Sequence, residues 1–192
     1  MGDDRRGPDD GPWRGRGSVG KPAGRFERFE VAPLEDDVWW DVEPEAPAVP
    51  TTLTPDATRT ILARNDSPDV PFSLSINPYR GCEHGCTYCF ARPTHSYLGL
   101  SPGLDFETRI FYKAEAARLL EHELSRRSYR PQTIALGANT DAYQPAEREL
   151  GITRQVLEVL ERFRNPVCVI TKSALVLRDV DLLASMAARG FA

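Results

Sequence analysis

Three of the four cysteines of this 192-residue chain lie within eight positions of one another, as Cys82, Cys86 and Cys89, in the spacing C-x3-C-x2-C. Thiolates are soft ligands, and a group of thiolates favours an iron–sulfur cluster, zinc or copper(I). Gly81 and Gly85 each precede one of these cysteines, and glycine lets a backbone approach a bulky group closely. The spacing therefore predicts a loop that binds a metal or a metal cluster.

Three kinds of site could use these thiols. A closed zinc site needs a fourth protein ligand, which would be His84, His95 or a distant residue. A redox pair formed by Cys86 and Cys89 would have no use for Cys82. A [4Fe–4S] cluster on three thiolates leaves one iron open, and an open metal position is where chemistry takes place.

Strand and helix patterns alternate around and after this loop. Alternating apolar and polar residues predict strands, and apolar residues at helical spacing predict helices. The predicted order is strand, helix, strand, helix, strand, helix, over residues 72–76, 113–127, 132–136, 150–164, 167–170 and 179–189, with Gly190 as the cap of the last helix. This order predicts an α/β fold with parallel strands and right-handed crossovers.

The third predicted strand is an uninterrupted apolar run, Val-Cys-Val-Ile, at residues 167–170. A run of this kind is typical of a strand that is buried on both faces. Cys168 is therefore expected to be a buried, inert thiol of the core.

Polar segments follow the second and third predicted strands, at residues 137–141 and 171–173. In α/β barrels the functional loops follow the carboxyl ends of the strands. We call the loop that carries Cys82, Cys86 and Cys89 the thiol loop. The thiol loop and these two segments, together the rim segments, are therefore expected to meet at one edge of the sheet, the rim.

The first 50 residues differ in composition from the rest. They contain 7 Gly and 7 Pro and carry a net charge of −5, whereas the other 142 residues carry +1. We interpret residues 1–50 as a disordered Gly/Pro-rich tail and residues 51–68 as a linker. The single Arg-Gly repeat at 14–17 could contact RNA, but it favours a solvated linker. Trp39 and Trp40 could tether the tail to the core.

Composition also excludes several classes of protein. A formal charge of −4 argues against a strongly basic nucleic-acid coat, and four cysteines are too few for a disulfide scaffold. There is no apolar run long enough to span a membrane, and the charged start of the chain is unlike a signal peptide. We expect a cytoplasmic protein without a membrane partner.

The thiol spacing, with the aromatic Tyr88 just before the last cysteine, resembles the radical S-adenosylmethionine (SAM) superfamily. The surrounding sequence is similar to its spore photoproduct lyase-like branch, and the resemblance covers nearly the whole chain except residues 28–68. It is carried by the segments 14–27, 77–95, 97–113, 135–149 and 169–183.

The resemblance implies a partial (β/α)6 barrel, of which residues 69–192 would form the first three βα units. It implies that Cys82, Cys86 and Cys89 bind a [4Fe–4S] cluster whose fourth iron is chelated by SAM. One electron from the cluster would then cleave SAM to methionine and a 5′-deoxyadenosyl radical, while the protein supplies position and shielding.

The alignment with this branch also predicts contacts to SAM. Lys172 suits the SAM carboxylate, and Thr140 or Asn139 suits the methionyl amine or carboxylate. Tyr88 is expected to stack beside SAM or to hydrogen-bond it, and Ser173 completes the predicted set. The implied partners are a reductant protein such as flavodoxin or ferredoxin and, through the family, a nucleic-acid substrate.

The sequence departs from the lyase pattern at Ala138, where the lyase has a hydrogen-donating cysteine. Repair of the spore photoproduct is therefore doubtful, although another radical reaction is not. The alternatives are a non-catalytic iron–sulfur or zinc module, or a truncated inactive fragment of such an enzyme. An open third strand at the sheet edge predicts poor solubility of the isolated chain.

The remaining polar residues favour ordinary structural roles. His122 is predicted to be solvated on its helix. Arg80 and Arg92 could face a phosphate or the SAM carboxylate, but loop arginines are usually exposed or ion-paired, and that is the role predicted for both. Asp141 could hold Lys172 or cap a turn.

Overall fold

The computed structural model describes Gly17 and residues 49–192. Its seven strands are all short. In chain order they are β1 (Thr52–Pro55), β2 (Leu62–Arg64), β3 (Leu74–Ile76), β4 (Tyr79–Arg80), β5 (Arg109–Tyr112), β6 (Ile134–Leu136) and β7 (Val167–Val169).

In the described residues, five α-helices and two 3-10 helices accompany the strands. The 3-10 helices are Arg92–Leu98 and Ala174–Asp179, and the α-helices are α1 (Leu104–Thr108), α2 (Ala116–Leu124), α3 (Glu147–Leu150), α4 (Ile152–Arg162) and α5 (Val180–Ala188). None of the helices in the described part of the chain is long and apolar enough to cross a membrane.

The main sheet has the strand order β2-β3-β6-β7. Strands β3, β6 and β7 are parallel, with Ile76 paired to Leu136 and Leu136 to Val169 at their carboxyl ends. Helices connect these strands, as the alternating pattern predicts, because parallel neighbours need a crossover. The α/β fold class is confirmed, and the described residues form two small open sheets without a closed barrel.

The apolar faces of two helices cover the main sheet. Leu120 of α2 and Val156, Leu157 and Leu160 of α4 are fully buried, together with Ile76 of β3. These side chains recur at helical spacing and form one apolar stripe on each helix. The core therefore lies between the sheet and the α2–α4 pair, and it holds the strand ends in place.

The segment 51–68 is part of the fold and not the predicted linker. Strand β1 pairs in parallel with β5 in a second sheet, of order β1-β5-β4, and β2 pairs antiparallel with β3 in the main sheet. Strands β1 and β2 are only four and three residues long, which is too short for a clear alternation of apolar and polar residues. The predicted disordered tail lies outside the described residues except for Gly17, Val49 and Pro50.

The prediction that the third parallel strand is buried on both faces is wrong. Strand β7 is the last strand of its sheet, and Cys168 is exposed while Val167 is buried. An edge strand has one neighbour and is covered less completely than a central strand. Cys168 is thus a surface thiol and not a core thiol.

Candidate functional site

The three clustered thiols lie on a loop that follows β4. Cys82 is buried, and Cys86 and Cys89 are half-buried. The Cys82 amide donates to the Phe106 carbonyl at 2.9 Å, and the Cys89 amide donates to the Cys86 carbonyl at 3.2 Å. Burial raises the pKa of the Cys82 thiol to about 11. A metal that binds here must therefore displace a proton from Cys82.

Gly81 lets the start of the loop approach its neighbours closely. Its φ is +85°, and an added Cβ would lie 2.8 Å from the Phe106 carbonyl oxygen and 2.9 Å from His95 Cε1. Only glycine adopts this φ without strain and lacks the Cβ that would make these close contacts. The Gly81 carbonyl accepts a hydrogen bond from Thr140 Oγ1 at 2.7 Å, which joins the thiol loop to the loop after β6.

Arg92 holds the middle of the thiol loop. Its Nε and Nη2 donate to the Cys86 carbonyl at 3.0 and 2.8 Å, and its Nη1 donates to the Gly103 carbonyl at 3.2 Å. Nη2 also pairs with Glu107, whose side chain is fully buried. The predicted ion-paired role of Arg92 is confirmed, and a planar guanidinium is suited to this fork of acceptors.

Gln144 and Glu83 make a second connection between the two loops. The Glu83 amide donates to Gln144 Oε1 at 3.1 Å, while Gln144 Nε2 donates to the Gly81 carbonyl at 3.3 Å. Glu83 Oε2 in turn accepts from the Ala146 amide at 2.8 Å. Gln144 is fully buried, so its bond to the Gly81 carbonyl forms away from water, where a hydrogen bond is stronger.

Asp141 joins all three rim segments. Its Oδ1 accepts from Thr171 Oγ1 at 2.7 Å and from the Tyr143 amide at 2.8 Å. Its Oδ2 accepts from the Lys172 amide at 3.1 Å and lies 3.3 Å from His84 Nε2. Burial raises the pKa of this carboxyl, but the contact with His84 and the hydrogen bonds from Thr171 and the backbone outweigh burial, and the pKa lies below its ordinary value.

Asp141 therefore does both things expected of it. It makes a turn with Tyr143, and it holds Lys172 through the main-chain amide, which leaves the ammonium group of Lys172 for other contacts.

Lys172 reaches the thiol loop directly. Its Nζ donates to Cys86 Sγ at 3.0 Å, and the side chain is exposed. This contact raises the pKa of the Lys172 ammonium. The third rim segment thus meets the thiol loop, as the position of 171–173 after a parallel strand predicts.

The other predicted SAM contacts occupy different positions. The Tyr88 side chain is 83% exposed, and Ser173 caps the second 3-10 helix by accepting from the Leu175 amide. The Asn139 main-chain amide donates to Asn77 Oδ1 at 2.7 Å. The Thr140 hydroxyl is directed at the Gly81 carbonyl. All of these residues lie on the rim, and their contacts with SAM stay a prediction.

The histidines have distinct environments. His122 is exposed on α2, as predicted. His84 faces Asp141 on the rim. His95 is fully buried, with Nε2 2.9 Å from the Arg109 carbonyl, and burial lowers its pKa. Arg80 is ion-paired with Asp56 at 2.9 Å.

A buried charge network lies behind the rim. Glu147 and Asp179 are fully buried, and Arg178 pairs with both, at 2.6 and 2.9 Å. Tyr79, directly before the thiol loop, donates its hydroxyl to Glu147, and Arg154 pairs with Asp179 at 3.0 Å. The network ties β4, α3 and the second 3-10 helix together.

Sequence reasoning missed Glu107, Gln144 and Glu147. Each is a polar residue in or next to a helical segment, and charged residues there are ordinarily exposed. Their partners are distant in sequence, so no local pattern points to them. The one available signal was the position of Gln144, three residues beyond the end of the predicted rim segment 137–141.

The thiol loop fits a cluster in the chemistry of its donors. It offers three thiols and a glycine-bounded backbone, and Cys86 and Cys89 are half-exposed. Within the described residues, no three His, Cys, Asp or Glu side chains are grouped as a site for a metal ion. The donor set, rather than a preformed coordination geometry, is what fits.

The chain is similar to proteins of two distant groups. It is 46% identical over 118 residues to an uncharacterized protein of Mycobacterium bovis and to one of Mycobacterium tuberculosis, an alignment that covers 62% of this chain and 35% of each relative. It is 30% identical over 107 residues to an uncharacterized protein of Methanocaldococcus jannaschii, covering 56% of this chain and 38% of the relative. The chain thus spans little more than a third of these curated relatives. No family model and no solved structure matches it.

Proposed function

We propose that the chain belongs to a radical SAM enzyme and that Cys82, Cys86 and Cys89 bind a [4Fe–4S] cluster. One observation carries the proposal. The C-x3-C-x2-C loop contacts two polar loops that follow the carboxyl ends of the parallel strands β6 and β7. Functional loops of α/β proteins meet at this edge. Three thiols there leave one iron of a cluster for a small ligand.

A bound [4Fe–4S] cluster supplies one electron for the reductive cleavage of SAM. The chain's own residues hold the loop that binds it. Arg92 fixes the Cys86 carbonyl, Thr140 and Gln144 fix the Gly81 carbonyl, and Asp141 keeps the three rim segments together. These contacts restrain the loop on both sides of the thiols, which limits its motion when a ligand binds.

We assign the positioning of SAM to the rim. Lys172 is the cation best placed to pair with the carboxylate of SAM, because its ammonium is exposed and lies beside Cys86. Asn139, Thr140 and Ser173 offer polar groups on the two neighbouring segments, and the exposed Tyr88 ring offers a stacking surface.

The whole protein is proposed to act in the cytoplasm with a flavodoxin- or ferredoxin-like reductant. A nucleic acid is the proposed substrate class, and it rests on the resemblance to the spore photoproduct lyase-like branch alone.

The proposal is tested by anaerobic reconstitution of the purified chain with iron and sulfide. We expect about four irons per chain, as for a cubane cluster, and dithionite-dependent cleavage of SAM to methionine and 5′-deoxyadenosine. Cys86→Ser should abolish cluster binding. Cys168→Ser is the matched control and should leave iron content unchanged, because Cys168 is exposed on the edge strand β7.

The outcomes separate the alternatives. A full complement of iron without binding of SAM would favour a non-catalytic iron–sulfur module. One zinc per chain, bound more tightly than iron, would favour a zinc module. Absence of iron after reconstitution would overturn the proposal.

A further inference from the structure

Glu107, in the last turn of α1, is a fully buried carboxylate next to the thiol loop. Its Oε1 pairs with Arg92, the residue that holds the Cys86 carbonyl. A buried charge is costly unless it is paired and hydrogen-bonded. The position of Glu107 is therefore closely linked to the position of Arg92, and through Arg92 to the backbone of Cys86.

The second oxygen of this carboxylate binds a residue from the far end of the chain. The Gly17 amide donates to Glu107 Oε2 at 3.1 Å, across 90 positions of sequence. Gly17 and Arg92 thus share one acceptor group, each on its own oxygen. A hydrogen bond to a charged, buried group is stronger than one between neutral groups.

Gly17 also lies directly against the thiol loop. A Cβ built on it would overlap the Gly85 carbonyl oxygen and would lie 3.3 Å from Thr87 Cγ2. Gly85 and Thr87 flank Cys86 on both sides. Any residue except proline could supply the amide to Glu107, but only glycine can do so without pushing the loop away.

We propose that Gly17 is a positioning residue of the thiol loop. It packs against Gly85 and donates a hydrogen bond to Glu107. Together with Arg92, it holds the part of the loop that carries Cys86 and Cys89. Cys82 lies outside this unit, because the Phe106 carbonyl holds its amide separately. The inference concerns the metal-free chain and does not rest on the proposed function.

The experiment measures the reactivity of each thiol in the reduced, metal-free, full-length chain. The protein is pulsed with N-ethylmaleimide, and the modification rate of every cysteine is read by peptide mass spectrometry. The exposed Cys168 is the internal reference. The variants are Gly17→Ala, Glu107→Gln and the double substitution, each measured well below its own melting temperature.

Two control variants are matched to these changes. Gly190→Ala also replaces a glycine, at a position where a Cβ would meet nothing within 4 Å but where φ is +80°, so it strains the backbone away from the thiol loop and controls for general destabilisation. Glu115→Gln also removes a carboxylate from an arginine, Arg118, but this pair is 62–70% exposed and so contributes little.

We expect Gly17→Ala to raise the modification rates of Cys86 and Cys89 about tenfold relative to Cys168, which corresponds to the loss of one hydrogen bond to a charged group. The rate of Cys82 should stay unchanged. Glu107→Gln, which adds no heavy atoms, should have a similar effect. Gly17→Ala should add less than about twofold to it, because both substitutions act through one contact.

The proposal is overturned if Gly17→Ala leaves all rates unchanged, or if it raises the rates of Cys82, Cys86 and Cys89 equally, as general loosening would. It is also overturned if the effects of the two substitutions multiply in the double variant, or if Gly190→Ala or Glu115→Gln reproduces them.

Discussion

The replacement of Asp141 by asparagine tests whether one carboxylate holds the three rim segments together. The carboxylate accepts three hydrogen bonds: Oδ1 accepts from Thr171 Oγ1 and the Tyr143 amide, and Oδ2 accepts from the Lys172 amide. His84 Nε2 lies 3.3 Å from Oδ2 without a hydrogen bond. The amide nitrogen of asparagine cannot accept a hydrogen bond. Depending on the orientation of the new side chain, either the Thr171 hydroxyl and the Tyr143 amide or the Lys172 amide therefore lose their acceptor.

The size of the effect follows from these contacts. A hydrogen bond to a charged group contributes about 1.5–3 kcal/mol, so the loss of at least one predicts about 1.5–3 kcal/mol or more at neutral pH. Net stabilities of domains are about 5–15 kcal/mol, and the loss is large on that scale. The measurement is urea unfolding of the metal-free chain, with the midpoint and slope compared between variants.

The matched control is Asp181→Asn. Asp181 also accepts two hydrogen bonds from an arginine, Arg154, but it is 65% exposed. Exposed pairs contribute about 0–1 kcal/mol. If Asp141→Asn destabilises the chain no more than Asp181→Asn does, the assignment of Asp141 as the joining residue is refuted.

The effect of pH has a definite sign. The folded-state pKa of Asp141 lies below its ordinary value, so its contribution to stability is fully present above the unfolded pKa of about 3.9 and is lost as the pH falls through the folded pKa. The difference in unfolding free energy between the wild type and Asp141→Asn should therefore shrink below about pH 4. A difference that is constant down to pH 2 would contradict the hydrogen-bonding pattern.

Three further predictions follow from other parts of the fold. Glu147→Gln should lower the unfolding free energy by about 3 kcal/mol, as measured by calorimetry of the metal-free chain. This is at the lower end for a broken buried ion pair, because Asp179 still pairs with Arg178. Ile170→Lys, directly after the edge strand β7 where the side chain is 46% exposed, should reduce self-association in light scattering, since a charge at an open edge opposes strand pairing. Lys172→Ala should weaken the binding of SAM to the reconstituted chain about tenfold, the loss of one charge-assisted contact, without lowering its iron content; unchanged SAM binding would remove Lys172 from the proposed site.

The sequence by itself determined the thiol loop, the alternation of strands and helices, and the meeting of three polar segments on one rim. These follow from local patterns. Apolar periodicity defines the elements around β3, β6 and β7 and the helices α2 and α4, and the carboxyl ends of parallel strands lie at one edge by geometry.

Only the tertiary structure decided which side chains hold the rim. Asp141 and Arg92 belong to segments that sequence reasoning had singled out, but their partners Thr171 and Glu107 are 30 and 15 positions away. The same holds for Gly17, which lies 90 positions from its acceptor. Burial of a charge depends on the whole fold, and so does the exposure of Cys168 on an edge strand, because both depend on which elements pack against a position and not on its neighbours in sequence.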